Sequence, residues 1–188
     1  MIQNNFLKRK QDVLSKLDKS SKKSWDKKIA GLCEKMNSFE NYYTTSSCSG
    51  RIVIMLDREK KQSDIFLKVY HDKINLKKLK NELDKINHSD LIKFKQEPCI
   101  LHVACENLKD AQNLLDKAKF AGWKRSGIIS SGKRFVCELN GTEKIEFLIM
   151  NKGKLLVNNE YLELIVKRCN ENLEKSWEKI EKLSNSLQ

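Results

Sequence analysis

Proline occurs once in this sequence and glycine seven times, too few for a collagenous, Pro-rich or Gly/Ser-linked chain. No internal repeat and no flexible linker interrupts the 188 residues, which read as one domain spanning 1–188. No apolar run is long enough to cross a membrane, and the start, Met1-Ile2-Gln3-Asn4-Asn5, is polar rather than a signal peptide. A cytoplasmic protein is expected. None of the six cysteines forms a C-x-x-C pair, and His71, His88 and His102 do not stand at zinc-finger spacing, so no metal centre is expected. The thiols read as reduced structural residues. Also missing are a G-x-G-x-x-G after a strand, a P-loop, a nucleophile elbow and the kinase motifs. That removes the doubly wound nucleotide-binding folds.

What the chain has in excess is positive charge: +12 with 33% charged residues and only 39% hydrophobic ones. Such a balance suits a protein that meets a phosphate backbone, and equally suits solvated helix faces. Lysine greatly outnumbers arginine. In such a chain Arg51, Arg125 and Arg134 are expected where a planar, bidentate donor is wanted.

Apolar periodicity orders the rest. Phe6, Val13, Leu14 and Leu17 share a helical face over residues 4–17, and Asp18-Lys19-Ser20-Ser21 breaks it. Ser24 is placed to cap a second helix, with Asp26 in its first turn and Trp25, Ile29, Leu32, Cys33 and Met36 as its buried stripe. Ile52–Leu56 reads as a strand buried on both faces, closing a hairpin with Ile65–Tyr70. Asn75 and Asn107 are expected to cap helices, the second with Leu108, Ala111, Leu115 and Ala118 inward and Gly122 at its end. Strands follow at 91–94, 98–105, 126–130, 135–139 and 145–150, then a long helix from Asn159 to Leu187. This order predicts an α+β fold with a mixed β-sheet, helices mainly on one side, and a long C-terminal helix. That helix packs across its own sheet or clasps a second subunit, so the oligomeric state is open.

One run stands out: Tyr42-Tyr43-Thr44-Thr45-Ser46-Ser47-Cys48-Ser49-Gly50-Arg51. It begins with the aromatics and β-branched threonines of a strand, becomes a string of small hydroxyls and a thiol, and ends on glycine and arginine. Small polar side chains leave backbone N–H groups uncovered, Gly50 permits a positive φ, and Arg51 adds a fork of donors. Two readings stand: an anion-facing turn, or a purely structural one.

The run resembles the signature of the tRNA wybutosine-synthesizing protein 3 family. The likeness extends to Asp18-Lys19-Ser20 with Trp25-Asp26, to Glu97-Pro98 leading into Leu101-His102-Val103, to 121–130 (AGWKRSGIIS), and to Tyr161-Leu162 with Asn170. The chain departs from the family at Ser21-Lys22-Lys23-Ser24, where a proline and a glycine are usual. The resemblance implies transfer of a methyl group from S-adenosylmethionine to a ring nitrogen of a 4-demethylwyosine-type base. That base stands at position 37, in the anticodon loop of phenylalanine tRNA. The reaction needs positioning, a dry pocket and one proton acceptor. Asp26 and His102 are the candidates for that acceptor, with His71 as a third, against plain roles as a helix-start charge and a core histidine for the first two. Ser46, Ser47, Ser49, Gly50, Arg51, Ser126 and Gly127 are candidates to hold donor or substrate. Tyr42, Tyr43, Trp123, Arg125 and Arg134 are candidates for tRNA or base contact. Cys48 reads as a small packing residue. A non-catalytic RNA-binding module is the alternative reading, and an interaction protein built on the last helix is a third.

Overall fold

The computed structural model describes residues 2–16, 25–58, 65–132 and 134–187. Leu17, the break at 18–21 and the Ser24 cap fall outside them. The chain divides into two compact units, Met1–Ser49 with Cys99–Thr142 and Ser176–Gln188, and Gly50–Pro98 with Glu143–Lys175.

The first unit holds helices α1 (Ile2–Leu14) and α2 (Lys27–Ser38) and strand β1 (Tyr42–Cys48). From the second unit's stretch of chain come β2 (Arg51–Leu56), β3 (Phe66–Tyr70), α3 (Leu76–Asp84) and β4 (Ile92–Glu97). The chain returns with β5 (Ile100–Cys105), α4 (Leu108–Phe120), β6 (Gly127–Ser130) and β7 (Phe135–Asn140). It leaves again through β8 (Ile145–Asn151) and β9 (Lys154–Leu155), and ends on α5 (Asn159–Ser186), which supplies residues to both units.

Each unit has its own sheet, of order β1-β5-β7-β6 in the first and β3-β2-β4-β8-β9 in the second. Every described strand pair is antiparallel. The expected single mixed sheet is therefore corrected to two antiparallel ones. The reason lies in the pairing: β1 joins β5, and β2, with the neighbouring β3 on one edge, takes the distant β4 on the other.

In the first unit, side chains alternate across the sheet. Leu101, Val103 and Cys105 face a core made by Ile29, Leu32, Cys33 and Met36 of α2, Ala111, Leu114, Leu115 and Ala118 of α4, and Ile180 and Leu183 of α5. Leu114, not Leu108, takes the inward place on α4; Leu108 is 55% exposed. Asn107 caps that helix by accepting from the Asp110 N–H at 3.0 Å, and Gly122 leaves it at φ 95°, a left-handed conformation that favours glycine. The opposite face, bearing Ile100, His102 and Ala104, is covered only in part: α1 lays Phe6 and Val13 against Tyr43 and Ala104.

In the second unit Asn75 caps α3 by accepting from the Lys78 N–H at 2.8 Å. Ile52, Val53 and Ile54 are all fully buried, as a strand apolar on both faces requires. Within this unit α5 is tied down by Asn172 donating to Gln96 at 2.7 Å and by Asn170, which accepts from the Ile74 N–H and donates to its carbonyl. No helix among the described residues is long and apolar enough to cross a membrane.

Candidate functional site

The open face of the first unit's sheet carries a polar row. Ser46 on β1 stands opposite His102 on β5, His102 opposite Glu138 on β7, and Glu138 opposite Gly127 on β6. A bulge between Thr44 and Ser46 inserts one residue into β1, which brings Ser46 into register with His102. The His102 Nε2 lies 2.8 Å from Glu138 Oε2, with the two side chains 27% and 33% exposed. His102 is thus no sealed core histidine. It is a half-exposed imidazole held by a carboxylate, on a face open to solvent beyond α1. An imidazole whose Nε2–H donates to an ionised carboxylate keeps its Nδ1 lone pair for accepting a proton.

Asp26 is the residue preceding α2, in extended conformation (φ −61°, ψ 132°), and makes no side-chain cap to that helix. Its position is one residue outside the expected first turn. The carboxylate is used on β1 instead: the Ser49 N–H and hydroxyl both donate to Oδ2, at 3.0 and 3.2 Å. Cys48 Sγ lies within 4.8 Å of the same carboxylate. Ser49 is fully buried, so Asp26 pins the end of the hydroxyl-rich run. At this end of the sheet two buried polar atoms have no hydrogen-bond partner among the described residues: Ser47 Oγ and Asn140 Oδ1.

The remaining candidates separate. The Ser126 hydroxyl is spent inside the unit, donating to the Trp123 carbonyl at 2.6 Å and accepting from the Asn140 N–H at 3.3 Å. Trp123 is fully buried and its indole donates to the Lys179 carbonyl at 3.0 Å. Tyr42 is buried against Phe39, and its hydroxyl donates to the Asp110 carbonyl at 3.0 Å. Burial first, and Asp110 next, push that hydroxyl up to about 12. Tyr43 is buried under Phe6, with ring centres 5.2 Å apart. None of these three rings offers a face for stacking, a correction to the expectation; sequence proximity to a motif does not report which side of a strand faces out. Arg125 is exposed, its backbone bonded to Asn140. Arg134 is half-buried, in the turn before β7.

Gly50 and Arg51 open the second unit. Gly50 adopts φ 101°, the positive value foreseen for it. Arg51 Nε donates to Glu97 Oε2 at 2.6 Å across the β2–β4 pair, and the guanidinium lies 5.5 Å from the Phe66 ring centre. The nearest carboxylate to this arginine is therefore the protein's own.

Glu138 and Asn140 were not singled out from the sequence. Glu138 sits in Phe135-Val-Cys-Glu-Leu-Asn140 as an ordinary outward residue of an alternating strand. Only the register that sets it beside His102 distinguishes it.

These features can be set beside known proteins. A family model described as Methyltransferase TYW3 matches residues 8–188. A Thermococcus sibiricus protein named tRNA(Phe) 7-((3-amino-3-carboxypropyl)-4-demethylwyosine(37)-N(4))-methyltransferase is 38% identical, covering 100% of this chain and 97% of the relative. The human tRNA wybutosine-synthesizing protein 3 homolog is 36% identical, over 97% of this chain and 72% of its own length. The solved structure of the PH1069 protein from Pyrococcus horikoshii superposes with a TM-score of 0.89 at 33% identity, covering 98% of this chain and 95% of that one. With a match over nearly its whole length and relatives above 30% identity, this chain belongs to the TYW3 family of S-adenosylmethionine-dependent tRNA methyltransferases.

Proposed function

We propose that this protein methylates N4 of 4-demethylwyosine bearing a 3-amino-3-carboxypropyl arm, at position 37 of phenylalanine tRNA, in the cytoplasm. The observation that carries the placement of the chemistry is the His102–Glu138 pair on the open face of the first unit's sheet. The donor supplies, when bound, an electrophilic methyl on a sulfonium. Its ammonium, ribose hydroxyls and adenine amino group need acceptors. The unpartnered Asn140 Oδ1, on the face that bears His102 and Glu138, fits that need, so this residue would hold it. Ser46 and Gly127, flanking the pair, leave a shallow row in which a flat base can approach.

His102 receives the proton that N4 must lose as it becomes alkylated, on Nδ1, while Glu138 holds Nε2–H and balances the imidazolium charge. Asp26 acts on position rather than on the proton: it fixes Ser49 and with it the end of β1. Arg51 and Arg125 are assigned to phosphates of the tRNA.

The test is transfer of a labelled methyl group from S-adenosylmethionine to tRNA carrying the unmethylated base, by wild type and by Asn140→Ala. Wild type is expected to label the tRNA, and the variant to bind donor more weakly. Binding of the tRNA with no transfer of label refutes the enzymatic reading in favour of an RNA-binding module.

A further inference from the structure

Next to the His102 row on the same face lies the row Tyr43, Ala104, Val136. Its tyrosine is fully buried, yet the Tyr43 hydroxyl has no hydrogen-bond partner among the described residues. A buried hydroxyl left unpaired costs roughly 1–3 kcal/mol, so one kept here calls for an explanation. Two guanidinium groups approach it. Arg134 stands in the turn just before β7, two residues from Val136, and its Nε is also buried and unpartnered. Arg9 follows Phe6 by one helical turn, on the side of α1 that covers the tyrosine ring. Burial pushes the Tyr43 hydroxyl above its ordinary value, and the charges of Arg134 and then Arg9 pull it back, so both act on that oxygen. Neither arginine has an ion-pair partner among the described residues.

Two cations converging on an unpaired hydroxyl, with no acid to match them, are complementary to an oxyanion. We propose that Arg9, Arg134 and the Tyr43 hydroxyl form an oxyanion subsite for the RNA substrate, one row from His102. The shared chemistry is a negatively charged oxygen, carried by the carboxylate of the base's amino-acid arm or by a backbone phosphate. The proposal rests on the methyltransferase reading above for the identity of the RNA. Arg9, itself exposed to solvent, is the group that gives way to admit the anion. Arg134 supplies the directional bond, and Tyr43 the hydroxyl at its inner end.

The experiment measures equilibrium binding, by fluorescence anisotropy, of two forms of phenylalanine tRNA: one with 4-demethylwyosine and one with the same base carrying the 3-amino-3-carboxypropyl arm. Arg134→Gln is expected to weaken binding about tenfold, the loss of one charge-assisted bond, and Arg134→Lys to recover part of it. Tyr43→Phe should weaken binding while leaving the melting temperature of the free protein unchanged or raised, because it removes an unpaired hydroxyl. A loss confined to the armed tRNA identifies the carboxylate; equal losses on both identify a phosphate. Either supports the subsite. Wild-type affinity for both RNAs in Arg134→Gln and Tyr43→Phe overturns it, as does a wild type that binds neither. A wild type that binds but transfers no methyl group sinks the proposed reaction and leaves this measurement readable.

Discussion

Replacing His102 by Asn and Glu138 by Gln, singly and together, asks whether the pair works as a unit. Asn keeps the polarity of position 102 but cannot take a proton near neutral pH. Loss of a general base typically lowers the rate ~10²–10⁴-fold, or about 3–5 kcal/mol. Gln at 138 keeps size and an acceptor oxygen and loses the charge. In a dry triad the same exchange costs ~10⁴. Here the two side chains are about a third exposed and water competes for the imidazole N–H. The expected loss is therefore smaller, about 10–100-fold, as for the partners that orient a metal-bound imidazole. The double variant decides. Touching at 2.8 Å, the two residues should be fully coupled, so His102→Asn with Glu138→Gln should be no slower than His102→Asn alone. The assay is single-turnover methyl transfer at saturating donor with tRNA binding measured alongside. Multiplying losses, or full activity in His102→Asn, would refute the assignment.

Arg51→Ala should cost about 1 kcal/mol of stability or less, because its Glu97 partner is also part-exposed, yet should lower methylation of hypomodified phenylalanine tRNA at least tenfold. Unchanged turnover would show that the guanidinium serves only the β2–β4 pair. In the second unit the Glu146 carboxyl is held down at about 2, by Lys144 foremost and by Lys93. A lowered folded-state value contributes stability that is complete above the ordinary value near 4.5 and lost as pH falls toward 2. Glu146→Gln should therefore flatten the fall of the melting temperature between those pH values; the same slope as wild type removes the argument.

Local features were legible because local chemistry decides them. The Asn75 and Asn107 caps, the positive φ at Gly50 and Gly122, and the apolar stripes of α2 and α5 each follow from a few neighbouring residues. Sheet membership was not. The strands β1 and β2 are separated by only Ser49 and Gly50, and β4 and β5 by Pro98 and Cys99, yet each couple is split between sheets. Pairing is decided by partners roughly 35–65 residues distant, which period-2 alternation does not encode. The same distance hides Glu138: an outward acid gains a role only from what faces it across the ladder. Leu108 misled for another reason, since the 3.6-residue period admits two neighbouring faces of α4 and only packing selects the one with Leu114.

Neither unit is a continuous stretch of chain. The first sheet takes strands from near residues 45, 103, 128 and 138, and its core waits for Ile180 and Leu183 near the C-terminus. On the ribosome, β1 emerges long before β5 and β2 long before β4, and neither core can close until α5 has been made. High contact order of this kind makes for slow folding, with unpaired strand edges exposed in the meantime. A nascent chain of this protein therefore carries open strand edges for most of its synthesis, and a stop codon anywhere before α5 leaves two unfinished cores rather than one finished half.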